Sequence, residues 1–213
     1  MLTVHHLGKS QSERIVWLCE ELAIPYELKV YDRDPVTRLA PPEYKALHPL
    51  GAAPIIDDGG TVLAESTAIV DYLLAKYGKG RLVAAPDDAN FADYLYWFHF
   101  ANGSLQPALM RNMVLSRVNV PADHAMVQFA DARRQLALGL MDKRLGQVDF
   151  LAGNALTAAD IVVVFSLTTM RLFYPYDLSA YPNILAYLQR IGAREAYARA
   201  MKKGDPDLAP MLT

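Results

Sequence analysis

Two short polar stretches carry the residue types and the spacing that could do chemistry. Glu65 and Ser66 stand directly before an apolar periodicity typical of a helix, and Ser10 stands before another. The first turn of a helix offers unpaired N–H groups and a partial positive charge, so a serine there can cap the helix or help to bind an anion. Ser66 is therefore predicted to cap its helix. Ser10 has the capping-box spacing to Glu13, whose backbone N–H it is predicted to bond.

Other nucleophilic and metal-binding side chains are few. The lone Cys19 shares an apolar helix face with Leu18 and Leu22, which predicts a buried structural thiol rather than a nucleophile. His5 and His6 point to opposite faces of an extended strand, and no third ligand is spaced to join either of them. No metal site is assigned.

The elements that must position these side chains can be followed through the first 78 residues. The predicted order is a strand over 2–7, a helix from Ser10 to Ile24, a strand over 26–31, a hairpin with its turn at 57–60, and a helix over 66–77. A strand, a helix and a strand within about thirty residues predict a βαβ unit with parallel strands.

Residues after Gly78 have almost no strand signal, which predicts an all-helical domain over 88–213 behind a linker over 79–87. The predicted helices cover 90–118 with a bend at Gly103 and Pro107, 122–145, 161–172, 184–191 and 194–201. Thr157 and Asp160 have the capping-box spacing before the run 161–172, which is apolar nearly all round. That run is predicted to be a buried helix, and Asp160 to serve folding rather than catalysis.

A longer pattern resembles a known family. The glutathione transferase family has a glutathione-recognition core that four groups of residues resemble: His48–Pro49–Leu50–Gly51, Ala53–Pro54, Glu65–Ser66 and Ala68–Ile69. The stretches 17–22 and 25–27 look like a bacterial and fungal branch of this family. The resemblance is dense over 1–78 and looser beyond. It implies an α/β plus all-α fold, in which a thioredoxin-like β-α-β-α-β-β-α domain over 1–78 precedes the helical domain.

The resemblance also implies a glutathione site on the first domain. Pro54 would follow a cis peptide bond, and the backbone of Ala53, with Ala52 beside it, would bond the cysteinyl amide of glutathione like an added strand. Glu65 would face the ammonium of the γ-glutamyl end, and Ser66 would hold its carboxylate by hydroxyl and backbone N–H. Glutathione is thus implied as co-substrate.

Conjugation needs the glutathione thiol as thiolate, because only the thiolate is a strong nucleophile. Lowering the thiol pKa from about 8.5 to about 6.5 requires roughly 2.7 kcal/mol of preferential stabilisation. In serine-type members of the family, a serine after the first strand and four residues before an arginine donates a hydrogen bond to the thiolate. Ser10 stands four residues before Arg14. Ser12 is a second candidate donor, and donation by backbone N–H groups alone is a third possibility.

Two positions depart from related sequences of this branch. Gln11 and Ala52 stand where those sequences often carry arginine and lysine. Both replacements remove a positive charge near the expected place of the glycine carboxylate of glutathione. Glutathione affinity is therefore expected to be weak, unless Arg38 or Lys45 supplies the charge.

The second substrate is expected to bind between the two domains, against the aromatic first helix of the helical domain and the buried helix. Phe100, Ser104, Arg111 and Tyr174 are the candidates for this wall, taken from the aromatic first helix of the domain and from the buried helix. Aromatic residues at helical spacing are also typical of a core, and the sequence does not name the electrophile.

The bulk composition limits the functional classes. The 213 residues are 53% hydrophobic, with 21 basic and 23 acidic residues and a net charge of −2, so no electrostatic footprint for nucleic acid or an anionic membrane is present. The N-terminal residues lack the order of a signal peptide, and no apolar run suits a membrane span, which predicts a cytoplasmic protein. One cysteine excludes an intramolecular disulfide framework and a two-cysteine redox motif.

The resemblance therefore predicts a cytosolic, homodimeric glutathione transferase with a detoxifying role, which conjugates glutathione to a small hydrophobic electrophile. A glutathione-dependent peroxidase or disulfide reductase on the same scaffold is an alternative, because a bound thiolate can also attack O–O or S–S bonds. A non-catalytic ligand-binding protein of the same fold is another, since fold alone does not fix function.

Overall fold

A four-stranded mixed sheet is the centre of the N-terminal part of the computed structural model, which describes residues 1–118 and 120–213. Its strands are β1 Leu2–Leu7, β2 Tyr26–Tyr31, β3 Ile55–Asp58 and β4 Thr61–Ala64. Their order in the sheet is β2-β1-β3-β4. β1 runs parallel to β2 and antiparallel to β3, and β3 runs antiparallel to β4. The parallel βαβ unit and the hairpin predicted from the sequence are confirmed.

Burial along the strands follows their place in the sheet. β1 is central and is buried at five of its six positions, whereas the edge strand β2 alternates between partly buried and exposed residues. Val4, Ile55 and Ile56 are fully enclosed between the faces of the sheet and its helices. The central strand therefore carries the core, and its carboxyl end leads directly into the turn at Ser10.

Helices form most of the remainder of the described chain. In chain order they are α1 Glu13–Leu22, α2 Pro42–Lys45, α3 Ser66–Leu73, α4 Phe91–Phe100, α5 Gln106–Arg117, α6 Ala125–Leu145, α7 Ala158–Leu167, α8 Pro182–Gly192 and α9 Glu195–Gly204. A π-helical turn over Leu74–Gly78 continues α3, and another over Ala101–Leu105 separates α4 from α5. The predicted thioredoxin-like order β-α-β-α-β-β-α is confirmed.

α9 packs against α1 although the two helices lie far apart in the sequence. Trp17 and Tyr197 meet edge to face, with ring centroids 5.0 Å apart. The guanidinium of Arg194 donates two hydrogen bonds to the carboxylate of Glu21, at 2.7 and 2.9 Å. The chain accordingly forms one compact unit from Met1–Val83 and Ile191–Pro210, and a second from Ala84–Arg190 and Met211–Thr213. The division of domains at 79–87 stays a prediction.

The predicted caps of α1 and α3 are wrong. α1 begins at Glu13 with Ser12 at its cap position and no side-chain cap, and the N–H of Glu13 is bonded by the Ser10 carbonyl at 3.1 Å. The Ser10 hydroxyl is engaged instead by Ser12, because the turn folds both hydroxyls towards each other. In α3, Ser66 is the first helical residue and Glu65 takes the cap position.

The helices of the second unit follow the predicted pattern with one early ending. The long helix predicted over 90–118 is interrupted at Ala101–Leu105, which includes Gly103, as expected. α7 is buried throughout, and the capping box of Thr157 and Asp160 is present. This helix stops at Leu167, where a 3-10 turn replaces the predicted continuation to residue 172. Among the described residues, no helix combines the length and apolarity needed to cross a membrane.

Candidate active site

The turn after β1 places two serine hydroxyls side by side. Ser10 Oγ and Ser12 Oγ are 2.7 Å apart, and the backbone N–H of Ser12 donates to Ser10 Oγ at 3.2 Å. Ser12 Oγ also lies 2.9 Å from His6 Nδ1, and it accepts from the Leu7 N–H at 3.1 Å. Ser12 therefore fastens the end of β1 to the start of α1.

The two predicted donors differ in what surrounds them. Ser12 is completely buried, and its hydroxyl oxygen already has partners in His6, Leu7 and Ser10. Ser10 is 5% exposed, and its hydroxyl has only Ser12 as hydrogen-bond partner among the described residues. Of the two serines, Ser10 is the one that keeps some exposed surface and a hydroxyl with fewer partners.

The first turn of α3 holds the second part of the site. Ser66 is buried there, and its hydroxyl accepts a hydrogen bond of 2.8 Å from Arg14 Nη1. The same nitrogen donates to Gln11 Oε1 at 2.6 Å. Burial lowers the pKa of Arg14 to about 9, so the guanidinium remains a cation at neutral pH. A fixed positive charge thus lies beside the helix N-terminus, where an anion would bind.

Glu65 adopts an unusual backbone conformation directly before this helix. Its φ is +71° and its ψ is 114°, a region that residues other than glycine rarely occupy. The Glu65 carbonyl accepts the N–H of Ile69, which holds the backbone in place, while the side chain is exposed. This strained backbone places the Glu65 carboxylate directly before the helix N-terminus where an anion would bind.

The loop before β3 presents backbone rather than side chains. The Ala53–Pro54 peptide bond is cis, as predicted. Ala52 is exposed and Ala53 is partly exposed. Throughout residues 1–118 and 120–213, no hydrogen bond takes the N–H or the carbonyl of Ala53. The side chain of His48 bonds the backbone of its own loop: His48 Nδ1 accepts the Leu50 N–H at 3.1 Å.

The two cations predicted to replace the missing charges lie in different places. The aliphatic part of Lys45 packs beside Gly51, since a Cβ added there would be 3.6 Å from Lys45 Cγ. Gly51 immediately precedes Ala52. Arg38 lies instead at a cavity of about 380 Å³, which also borders Arg33, Lys9 and Asp205. The position of Lys45 fits the glycine end of the predicted ligand better than that of Arg38.

The four candidates for the second-substrate wall lie in the second unit, on separate elements. Phe100 is buried at the end of α4, Ser104 is exposed on the π-helical turn, and Arg111 is exposed on α5. Tyr174 is partly buried beside Tyr176, with ring centroids 5.9 Å apart. These four positions stay a prediction.

Other reactive groups have structural roles in the part of the chain that is described. Cys19 is buried, and burial raises its thiol pKa to about 12, which confirms the prediction of an inert structural thiol. His5 bonds the Tyr31 hydroxyl at 2.8 Å. Over the described residues, no group of three His, Cys, Asp or Glu side chains is placed to hold a metal ion.

Three residues of the site were missed by sequence reasoning. Arg14 served only as a spacing marker for Ser10, although its position before the apolar stripe of α1 indicates a buried cation. His6 was considered only as a metal ligand. Asp205, whose carboxylate lies 3.1 Å from His6 Nε2, stands 199 residues away in the chain, and no local pattern could have found it.

Comparison with known proteins gives a consistent result. Two family models match: "Glutathione S-transferase, N-terminal domain" over residues 10–76 and "Glutathione S-transferase, C-terminal domain" over residues 105–195. The chain is 35% identical to glutathione S-transferase 3 of Schizosaccharomyces pombe, over 95% of this chain and 88% of that protein. It is 32% identical to glutathione S-transferase 1 of Saccharomyces cerevisiae, over 95% of each.

Solved structures agree with these matches. A glutathione S-transferase from Actinobacillus pleuropneumoniae superposes with a TM-score of 0.88 at 35% identity, covering 98% of this chain and 97% of that one. A theta-class glutathione S-transferase from Xanthomonas axonopodis pv. citri, solved with glutathione bound, has a TM-score of 0.71 at 27% identity. It covers 93% of this chain and 96% of its own.

Proposed function

The chain belongs to the glutathione S-transferase family, and from that membership we propose that it conjugates the thiolate of glutathione to small apolar electrophiles. The curated relatives that resemble it over most of their length carry the transferase name. Glutathione is the co-substrate, and its thiol supplies the nucleophile.

The position of Arg14 carries this proposal. One guanidinium nitrogen bridges Gln11 in the serine turn and Ser66 at the start of α3. The turn that carries Ser10 and the anion site at Ser66 are therefore tied together, as a ligand with a carboxylate at one end and a thiol further along would require. A helix N-terminus and a buried cation together favour such a carboxylate.

Ser10 is proposed as the donor to the thiolate. A hydroxyl that donates to a charged acceptor contributes more than a neutral hydrogen bond, on the order of 1.5–3 kcal/mol. That range includes the roughly 2.7 kcal/mol needed to bring the thiol pKa to about 6.5. The greater exposure of Ser10, 5% against 0% for Ser12, and the fewer partners of its hydroxyl support this choice.

The remaining contacts are assigned by chemistry. Ser66 holds the γ-glutamyl carboxylate and Glu65 faces the ammonium. The open backbone of Ala53 accepts the cysteinyl amide in the manner of a strand, and Lys45 supplies the charge for the glycine carboxylate. Support comes from the burial of Ser66, the exposure of Glu65 and the place of Lys45 beside Gly51.

We also propose a homodimer. Large apolar side chains are exposed on one face of α6, where they recur at helical spacing: Met126, Phe129, Leu136 and Leu140. With Met110 and Val114 of α5, the first two border a groove of about 340 Å³. Apolar surface of this kind is typical of protein contacts, and a second copy of the chain is the partner proposed. A cytosolic location and a detoxifying role are proposed from the family.

Neither alternative function has an observation in its favour. A glutathione-dependent reductase or peroxidase would use the same thiolate, and a binding protein would keep the site without turnover. The relatives are named transferases, which supports conjugation over both.

Titration of glutathione against the wild type and Ser10→Ala tests the proposal, with the thiolate followed by ultraviolet difference absorbance across pH. We expect thiolate well below the pKa of the free thiol in the wild type, and its loss in Ser10→Ala. Ser116→Ala, at an exposed serine of α5, is the control. The rate of turnover of a chlorodinitrobenzene should rise and fall with the fraction of bound glutathione that is thiolate. Binding without thiolate or turnover would rule out the conjugating function.

A further inference from the structure

A chain of four polar side chains extends from Ser10 into the interior of the first unit. Ser10 Oγ is 2.7 Å from Ser12 Oγ, which is 2.9 Å from His6 Nδ1. On the far side of the ring, His6 Nε2 is 3.1 Å from Asp205 Oδ2. Ser12 and His6 are fully buried, and Asp205 is 8% exposed. The array therefore ends at Ser10, which is 5% exposed, and at Asp205, which borders the cavity of about 380 Å³. Ser10 is the end at which the proposed thiol would meet it.

The hydrogen positions in the array follow from its far end. Asp205 accepts the Lys9 backbone N–H at 2.9 Å through its other oxygen, as an ionised carboxylate does. A carboxylate only accepts, so the proton of a neutral His6 is assigned to Nε2. His6 Nδ1 is then a free acceptor that faces the Ser12 hydroxyl. The Ser12 hydroxyl has two acceptors besides Ser10, His6 Nδ1 at 2.9 Å and the Leu7 carbonyl at 3.2 Å, and its proton is assigned to the nearer His6. The Ser10 proton can then point to Ser12.

The backbone is arranged to bring Asp205 to His6. A Cβ added to Gly204, the last residue of α9, would lie 3.0 Å from His6 Nε2. Glycine therefore allows the end of α9 to approach the ring closely, and Asp205 follows at once. Buried polar groups cost free energy unless they are paired, and each member of this array has its partner.

A hydrolase triad is excluded by the burial of Ser12. That array would also contain serine, histidine and aspartate, but its serine must attack a substrate. Ser12 is completely enclosed by the end of β1 and by Ser10. Its hydroxyl can pass a proton between neighbours but cannot reach a substrate carbonyl.

We propose that His6 is the internal acceptor of the glutathione thiol proton, which reaches it through the hydroxyls of Ser10 and Ser12. This inference rests on the proposed transferase function. The S–H bond breaks as its proton moves to Ser10 Oγ. The Ser10 proton moves to Ser12 Oγ, and the Ser12 proton moves to His6 Nδ1. The products are a thiolate that accepts from the Ser10 hydroxyl and an imidazolium that faces Asp205.

The transfer conserves charge within the site, because a thiol and a neutral imidazole become a thiolate and an imidazolium. It also reverses the Ser10–Ser12 and Ser12–His6 hydrogen bonds, so that Ser10 donates outward to the sulfur, while His6 Nε2 donates to Asp205 throughout. After conjugate and leaving group depart, the two hydroxyls return the proton from His6 to water that enters at Ser10. His6 and Asp205 are thus positioning and proton-holding residues, whereas Ser10 contacts the reacting atom.

Other charged groups lie on the elements packed around His6, but Asp205 is the charged side chain that is hydrogen-bonded to the imidazole ring. Arg33, after β2, lies close enough to Asp205 for their charges to interact, and it donates to the Gly8 and Lys9 carbonyls. On α1, Arg14 is directed to Gln11 and Ser66. α1 also carries the buried Glu13, and Glu20 and Glu21, which bond Lys203 and Arg194. α9 also carries Arg199, which bonds Glu20, and the exposed Glu195 and Lys202. β2 carries Glu27 and Lys29, whose charged groups are 3.8 Å apart. The residue of β2 opposite His6 is the apolar Val30.

Proton release on ligand binding tests the proposal. Glutathione and S-methylglutathione, which has no thiol proton, are each added to weakly buffered protein at neutral pH with an indicator dye. The number of protons released with glutathione, minus the number released with S-methylglutathione, is the contribution of the thiol proton. For the wild type we expect far less than one proton released per thiolate formed. His6→Asn keeps an amide opposite Ser12 but cannot accept the proton.

In His6→Asn we expect about one proton released per thiolate. The fraction of thiolate at the same pH should fall to about a tenth of the wild-type fraction or less, which is a rise of the thiol pKa by one unit or more. His5→Asn is the matched control, since His5 bonds Tyr31 on the other face of β1, and it should behave as the wild type. Asp205→Asn should shift both quantities in the same direction as His6→Asn, and it replaces that variant if the latter does not fold.

Release of about one proton per thiolate by the wild type would overturn the proposal and leave the transferase function standing. So would an unchanged stoichiometry and pH profile in the folded variants of His6 and Asp205. Absence of any thiolate in the wild type would overturn both.

Discussion

Arg14 joins two stretches of chain that stand 52 residues apart, and it does so with a single guanidinium nitrogen. We expect Arg14→Lys to lower glutathione affinity by about tenfold, because a buried lysine readily loses its charge whereas the guanidinium keeps it. Isothermal titration calorimetry with glutathione measures the change. Arg199→Lys, at a half-exposed arginine on α9, is the control and should leave affinity unchanged. An equal effect of both substitutions would show that Arg14 has no special role.

Glu65 combines a strained backbone with a side chain placed for the ligand. Glu65→Gly should raise the free energy of unfolding by about 1 kcal/mol, because strain of roughly 1–3 kcal/mol exceeds the entropy that glycine adds to the unfolded chain. Glutathione affinity should fall about tenfold with the loss of the carboxylate. Glu65→Gln should lose affinity without gaining stability, since it keeps the strain. Urea unfolding and calorimetry together separate the two effects, and a destabilised glycine variant would contradict the strain argument.

For single residues, the local sequence predicts which side chains lie at the site but not which side chains they hydrogen-bond. Glu65 and Ser66 were placed at a helix start, and the structure puts them there. The capping role of Ser10 was wrong because the spacing to Glu13 says nothing of Ser12, whose hydroxyl captures it. Asp205 was beyond prediction, since only the packing of α9 on α1 brings it to the site.

At the scale of the elements, the capping box at the start of α7 contains the carboxylate of Asp160, which is entirely buried. Asp160 accepts hydrogen bonds from the backbone of Leu151 and Thr157, both at 2.9 Å, and from the Tyr187 hydroxyl at 3.1 Å. Burial nevertheless raises its pKa from 3.8 to about 6. The folded state therefore holds this proton more tightly than the unfolded state, and stability is gained as the pH falls through 6 and lost as it rises.

We expect Asp160→Asn to lower the free energy of unfolding by about 2 kcal/mol at pH 7, because an amide cannot accept from all of these donors. The deficit relative to the wild type should grow by about 2 kcal/mol between pH 7 and pH 4.5, since only the wild type gains from protonation. Urea unfolding of both proteins at the two pH values measures it. A deficit that shrinks at lower pH would contradict the assigned shift.

Element types were largely predictable, and the reason lies in periodicity. The strands and α7 carry strong local patterns, and their starts lie within a few residues of the prediction. The π-helical turn at 101–105 was foreseen only as an interruption, because glycine marks a break without specifying the hydrogen-bond pattern that fills it.

For the molecule as a whole, the exposed apolar face of α6 is the feature that assembly should cover. Phe129 is 54% exposed on this face. Phe129→Asp should convert the proposed dimer to a monomer, because a buried unpaired charge costs several kcal/mol. Light scattering during gel filtration measures the mass. Val36→Asp, at a residue 86% exposed in the first unit, should leave the dimer intact. A monomeric wild type would exclude the proposed assembly.

The return of α9 to the first unit has a consequence during translation. His6 leaves the ribosome long before Asp205, and 199 residues at a typical rate of synthesis take roughly 10 to 40 s. During that interval the growing chain already contains Ser10 and Ser12, but it does not yet contain Asp205, whose carboxylate bonds His6. On the proposed proton path, a chain cut short before residue 205 would retain the glutathione-binding loops and form less thiolate. The order of synthesis thus makes activity the last property that this polypeptide acquires.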